Sequence, residues 1–238
     1  MTRRRVAPDA PILAIDTALR RAVVALGRAD GGLVDEASWV AGHRHGEELL
    51  PRVATLLERN AVALDDLGGI VIGTGPGAFT GLRVGIATAK ALAHGLQRPI
   101  AGISTAAALL AAAAAAGAAG EGRAAAPGVR ALLLPAGPSD RVLVLDGEAR
   151  LLPVGSEPEG SLDDVLVAVD LPGRAPADAL ARGEQAMAGL GAALVRLGGE
   201  RLLRGDADEL ARLVPEYVTL PRGVLRERGE VEWSRGPR

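Results

Sequence analysis

Residues 73–81 of this 238-residue chain read Gly-Thr-Gly-Pro-Gly-Ala-Phe-Thr-Gly, a stretch dense enough in glycine to suggest chemistry on an anion. Gly73, Gly75, Gly77 and Gly81 permit backbone conformations that a Cβ forbids, and Pro76 fixes one φ between them. A phosphate-binding P-loop requires Gly-Lys and then Ser or Thr, so that an ammonium meets the phosphates and a hydroxyl meets the metal. Here the loop ends Gly81-Leu82-Arg83. A dinucleotide fingerprint requires G-x-G-x-x-G with an acidic residue about 20 positions on, yet no acid follows until Glu121. The residues fit better a tight strand-to-helix turn that lets the helix lie close to its sheet.

The other reactive types are scattered. His43 and His45 flank Arg44 and would share a face on a strand, but zinc takes three or four ligands, and helical metalloprotease pairs stand at i, i+4. No metal site is expected from them. Glu47 and Glu48 suit the first turn of a helix, where carboxylates meet the positive end of the dipole. Ser139, Asp140 and Ser234 have no histidine or lysine partner at a recognisable triad spacing. Trp39 and Trp233 stand too far apart in the chain to suggest a base-stacking surface. Cysteine is absent, which removes disulfide, thiol and thiolate-metal chemistry and suits a reducing compartment. A net charge of −2 gives no electrostatic reason to bind bare RNA tightly.

The elements that must position the glycine loop follow from periodicity. Ile12–Ile15, Arg21–Gly27 and Gly32–Val40 read as three successive strands around an Asp30-Gly31-Gly32 turn, hence an antiparallel meander. A helix over about Gly46–Asn60 carries Leu49, Leu50, Val53, Leu56 and Leu57 as its apolar stripe. Pro51 is tolerated only in a first turn, so this helix is expected to start near residue 47 or later, or to kink. Then come strand Gly69–Gly73, the loop, helix Thr80–Gly95, strand Pro99–Ile103 and helix Ser104–Ala116, with Ser104 as N-cap. The helix after the loop is apolar on nearly two faces: Leu82, Ile86, Ala89, Ala93 and Leu96 on one, Val84, Ala87, Ala91 and Leu92 on the next. A helix covering one sheet needs a single buried face. The other face is covered either within the chain's own domain or by a second chain.

At these residues the chain resembles the TsaB (YeaZ) family, the dimerisation subunit of the bacterial machinery that makes threonylcarbamoyladenosine in tRNA. The resemblance rests on Ile12–Thr17, His45–Pro51, Gly73–Arg83 with Gly85–Lys90, Gly102–Thr105 and, near the end, Pro215-Glu216-Tyr217-Val218. It covers about the first 110 residues in order. The family begins its second half with an Asp-Ala-Arg strand, where this chain reads Leu132-Leu133-Leu134-Pro135-Ala136-Gly137-Pro138. The order βββαβαβα is that of a ribonuclease-H-like half-domain. The resemblance implies an α/β, two-lobed, actin/hexokinase/Hsp70-like fold with a reduced second lobe.

It also implies a non-catalytic scaffold. The partner interface would be formed by Leu49, Leu50, Val53, Leu56, Leu57, Leu82, Arg83, Ile86, Ala87, Lys90 and Ala91, pairing with the catalytic subunit TsaD or with a second copy. An interface of about 1,600 Å² would be reasonable for such a bundle. TsaD would hold the metal and transfer the threonylcarbamoyl group to the adenosine beside the anticodon. The ATPase TsaE would engage the shared surface, and tRNA would meet this chain only through the complex. No cofactor is expected on this chain itself. The rival readings are a small-molecule kinase or ATPase of the same superfold and, more distantly, a metallopeptidase-like protein. In phosphotransferases of the superfold, an aspartate at the position of Asp16 holds metal and phosphate beside a glycine-rich turn. Here Thr17-Ala18-Leu19-Arg20 follows, so Asp16, Gly75 and Gly77 are weak candidates for cofactor binding. Asp170–Gly173 and Gly198-Gly199 are the only candidates for the matching second-half turn and adenosine site.

Residues 1–105 are expected to form the first lobe and 106–238 the smaller second, joined through the Gly/Ala-rich Gly117–Gly128. Val129–Pro135, Arg141–Asp146, Ala149–Val154 and Val165–Leu171 read as strands. Ala175–Leu190, Ala192–Leu197 and Asp206–Leu213 carry helix-like or mixed patterns, and Arg222–Arg238 is an unpatterned tail expected to be disordered at its end. Arg3–Arg5 precede an apolar run that Pro8, Asp9, Pro11 and Asp16 interrupt, so no targeting signal is expected. The alanine tract Ala106–Ala116 is too short to span a bilayer. The expected location is cytoplasmic.

Overall fold

The computed structural model describes residues 5–42, 44–119, 131–136, 139–156 and 166–218. His43, most of the Gly/Ala-rich connection and the tail from Arg222 lie outside the described residues.

The first sheet has the order β3-β2-β1-β4-β5. Strands β1 (Pro11–Asp16), β2 (Arg21–Arg28) and β3 (Leu33–Val40) form the expected antiparallel meander. Strands β4 (Gly69–Gly73) and β5 (Ile100–Ile103) add in parallel on the other side of β1. Helix α1 (His45–Arg59) precedes β4, helix α2 (Phe79–Gly95) joins β4 to β5, and helix α3 (Thr105–Ala119) follows β5. Side chains alternate along each strand. Leu13, Ile15, Val24, Leu26, Ile70 and Ile72 point to the face covered by α1 and α2. Ile12, Ala14, Val23, Ala25 and Val71 point to the opposite face. Period-two alternation with both sets buried means that the central strands need a cover on each side.

The second cover comes from far along the chain. Helix α5 (Leu190–Leu203) lies across β1, β2, β4 and β5. Close approach is enforced at Gly198, where a Cβ would stand 2.3 Å from a Val71 methyl. The segment after α5 was expected to be helical over Asp206–Leu213 and is instead irregular. It closes the β5 edge: Gly102 N–H donates to Asp208 Oδ2 at 2.7 Å, Arg201 Nη1 donates to Gly102 O at 2.7 Å, and Asp208 N–H donates to Ile100 O at 2.8 Å. Those groups take the place of a sixth strand, and their bonds to β5 override the helix-like pattern, which survives only as a turn over residues 209–213.

The second sheet, order β8-β7-β6-β9, repeats the β3-β2-β1-β4 arrangement of the first. Its strands are β6 (Ala131–Ala136), β7 (Asp140–Leu145), β8 (Glu148–Leu152) and β9 (Leu166–Ala168). Among the described residues there is no fifth strand, and helix α4 (Ala177–Ala188) packs against β9 and α3. The expected two-lobed α/β architecture with a reduced second lobe is therefore present.

Helix α1 begins at His45, earlier than Pro51 suggests, and carries Pro51 inside. Pro51 is solvent-exposed, and its missing donor costs a bond only to Glu47 O, which water can reach. Asp35 of β3 fastens the other end of α1. Hydrogen bonds from Arg59 and then Asn60 hold the Asp35 carboxyl below the usual carboxylate range.

Alanine is favoured over glycine inside a helix by about 1 kcal/mol, but overpacking against a β-branched side chain on a sheet costs about 1–3 kcal/mol. Gly198→Ala is accordingly expected to lower the unfolding free energy by about 1 kcal/mol net in a urea titration. A gain in stability would show that α5 does not lie this close to β4.

Candidate functional site

Asp16 ends β1 and is completely buried. Its Oδ1 accepts from Ala18 N–H at 2.8 Å and its Oδ2 from Thr105 Oγ1 at 2.7 Å. Thr105 Oγ1 in turn accepts from Gly75 N–H at 3.0 Å. Strand β1, the glycine loop and the start of α3 are thus joined through one carboxylate. The next residues press into the loop. Thr17 Oγ1 donates to Gly81 O at 2.7 Å, and Ala78 N–H donates to Ala18 O at 2.6 Å. A Cβ at Gly77 would stand 2.2 Å from Ala18 O, and one at Gly85 would stand 2.1 Å from Thr17 Oγ1. Gly77 lets the two backbones touch, and Gly85 makes room for the Thr17 hydroxyl.

That contact leaves no room for a phosphate against Asp16. On the other side, Asp170 Oδ2 accepts from Arg20 N–H at 2.9 Å, so the turn after β9 is bonded to the turn after β1. Gly198 and Gly199 are spent on packing against Val71 and Ala29 O. The residues that the superfold would use for a nucleotide do not fit one as they are arranged here. Among the described residues, no group of three His, Asp or Glu is placed to hold a metal ion.

The two apolar helices divide differently from their sequence pattern. Leu49, Val53, Leu56, Leu57, Leu82 and Ile86 are buried and hold α1 and α2 onto the first sheet. Leu50, at 52% exposure, lies open, as do Arg83, Ala87 and Ala91, with Lys90 half-buried beside them. Leu50, Ala54, Leu57, Val62, Leu64 and Leu92 line an open groove of about 440 Å³ at the α1–α2 seam. This face is apolar at its centre. On the β3 side of α1, Glu48 pairs with Arg44 at 2.9 Å and Arg52 stacks 4.9 Å over the Trp39 ring.

A further set of contacts carries no periodic signature in the sequence. The segment Val214–Val218 returns to the glycine loop, where Glu216 N–H donates to Thr74 O at 2.8 Å. The Glu216 carboxylate accepts from Thr74 Oγ1 and from Ser104 Oγ, the latter at 3.2 Å. Ser104 Oγ also caps α3 weakly, accepting from Ala107 N–H at 3.5 Å.

Two sheets of matching strand order, with acidic turns joined by the Arg20–Asp170 hydrogen bond, define a two-lobed protein of the actin-like ATPase fold. A family model described as TsaD, tRNA N6-adenosine threonylcarbamoyltransferase, matches residues 26–166, more than half of the chain. The chain belongs to that family and, within it, to the TsaB/YeaZ group. The tRNA threonylcarbamoyladenosine biosynthesis protein TsaB of Escherichia coli is 39% identical over 94 residues, which are 40% of this chain and 40% of that protein. A tRNA N6-adenosine threonylcarbamoyltransferase of Symbiobacterium thermophilum is 38% identical over 34% of this chain and 23% of its own length. The matches thus span less than half of these curated relatives. The solved structure of YeaZ from Pseudomonas aeruginosa superimposes with a TM-score of 0.59 at 26% identity, over 87% of this chain and 99% of that one.

Burial pushes Asp16 up to about 6 from its ordinary 3.8, and the hydrogen bonds from Thr105 and Ala18 offset only part of that. The folded protein then holds this proton more tightly than the unfolded chain. The contribution of Asp16 is most favourable below its unfolded pKa and is lost as pH rises through about 6. Relative to Asp16→Asn, the wild-type protein is expected to lose roughly 3 kcal/mol of stability between about pH 4 and pH 7. Denaturation midpoints of the two proteins that run parallel across that window would sink the assignment.

Proposed function

We propose that this chain is a non-catalytic accessory subunit that binds the TsaD catalytic subunit and keeps it active for threonylcarbamoylation of the adenosine beside the tRNA anticodon. The observation that carries the reading is the open α1–α2 face, with Leu50, Ala87 and Ala91 exposed beside the groove at Leu64 and Leu92. Small side chains at Ala87 and Ala91 let a partner helix approach to about 8–10 Å between axes, and the apolar groove accepts its larger residues. The names of the relatives support the same pathway. In this reading ATP and metal belong to TsaD and TsaE, tRNA is met only through the complex, and the isolated chain pairs with itself through the same face. The sealed Asp16 turn supports this reading over a small-molecule kinase.

The buried positions are poor probes, because a charge at Val53 would unfold the core it belongs to. The open ones are better. Leu50→Asp and Ala91→Glu are each expected to weaken TsaD binding at least about tenfold while leaving the unfolding midpoint within a few degrees. Lys90 is the chain's only lysine, so acylation of its amine reports on α2 alone among the side chains. TsaD is expected to protect it. Undiminished Lys90 labelling in a formed complex, together with wild-type affinity of both variants, would place the partner elsewhere.

A further inference from the structure

Helix α2 lacks the usual means of holding its first turn. Its N-cap is Ala78, which has no side-chain acceptor, and Gly81 and Gly85 lie in its first two turns. Each glycine costs about 1 kcal/mol relative to alanine, and an uncapped end frays. Two of the contacts that hold this turn come from outside the helix. Thr17 binds Gly81 O from below. From above, the Tyr217 ring stands 5.2 Å from the Phe79 ring, tilted by 33°, and the Arg83 guanidinium lies 4.1 Å over the same Phe79 ring. These are the chain's one tyrosine and one phenylalanine. Next to them Glu216 is fixed by three hydrogen bonds, two to Thr74 and one to Ser104.

We propose that Val214–Val218 is a strap that sets the first turns of α2 and thereby makes the α2 end of the partner face depend on the far end of the chain. The strap bonds backbone to the end of β4, anchors a carboxylate on two hydroxyls and clamps an aromatic ring at the helix start. It is a surface element: Tyr217 is 39% exposed and Glu216 is also exposed. Contacts on one side only can be released without unfolding the lobe. Arg83 and Ala87, the first open α2 residues of the proposed partner face, follow directly on the turn that the strap holds. Release would disorder them and lower the population able to bind, with apparent affinity reduced by that fraction. This consequence for binding rests on the accessory-subunit reading, whereas the strap itself does not.

The test uses the full chain with Glu216→Ala/Tyr217→Ala, and separately with Tyr217→Ala alone. Hydrogen exchange of the Leu82 and Arg83 amides, the first in α2 with helical acceptors, is expected in the free protein to quicken roughly tenfold in the double variant and less in the single one. Amides of β4 should keep their rates. TsaD affinity is expected to fall by roughly the same factor as the protection. Exchange at Leu82 and Arg83 within twofold of wild type in both variants overturns the strap. Quickened exchange with unchanged TsaD affinity overturns its coupling to the partner face. If the unmodified protein does not bind TsaD at all, the accessory-subunit reading falls, while quickened exchange would still uphold the strap.

Discussion

The contact between the turn after β1 and the glycine loop is the constraint on which the rest depends. At Gly77 the two backbones meet directly, and at Gly85 the Thr17 hydroxyl fills the space that a Cβ would take. The same contact has two results. It fixes where α2 starts relative to the sheet, and so which of its residues are left facing out. It also occupies the volume in which an anion would have to sit, leaving Asp16 to bond Thr105 and Ala18. One piece of packing therefore both fills the space beside Asp16 and sets which residues of α2 face out.

The buried aspartate shows what that arrangement costs. A carboxylate removed from water is destabilising unless fully bonded, and here two donors do not offset desolvation. What the protein gains is a rigid junction of three segments far apart in sequence: β1, the loop after β4 and the start of α3. Buried polar networks of this kind specify one arrangement over near alternatives when every member is satisfied. The junction is consistent with that role, since each of Asp16, Thr105 and Gly75 N–H has its partner.

Much of the first lobe was readable from the sequence because its signals are local. Glycine and proline punctuate the β4–α2 loop, and the 3.6-residue and two-residue periods separate α1 and α2 from their strands. The open and buried parts of α1 and α2 were not separable, because a broad apolar stripe reads the same whether the sheet or a partner covers it. Only the structure distinguishes Val53, which faces Leu13 and Ile70 in one cluster, from Leu50, which faces water. Gly198-Gly199 were ambiguous for a related reason: a glycine pair serves a ligand or a close helix packing equally well. The Asp206–Leu213 pattern misled because its acidic residues are wanted by an exposed sheet edge, a demand with no local trace. Pro215–Val218 was visible in sequence only through family likeness, since Glu216 and Thr74 are separated by |i−j| of 142.

The position of α5 bears on how the protein is made. Strands β1 and β4 keep one apolar face bare until residues 190–203 have left the ribosome. Translation at about 5–20 residues per second leaves that face open for roughly 5–20 s after β5 is complete. For that interval the nascent chain carries a half-clad sheet, rich in isoleucine and valine, with nothing of its own yet available to lie against it.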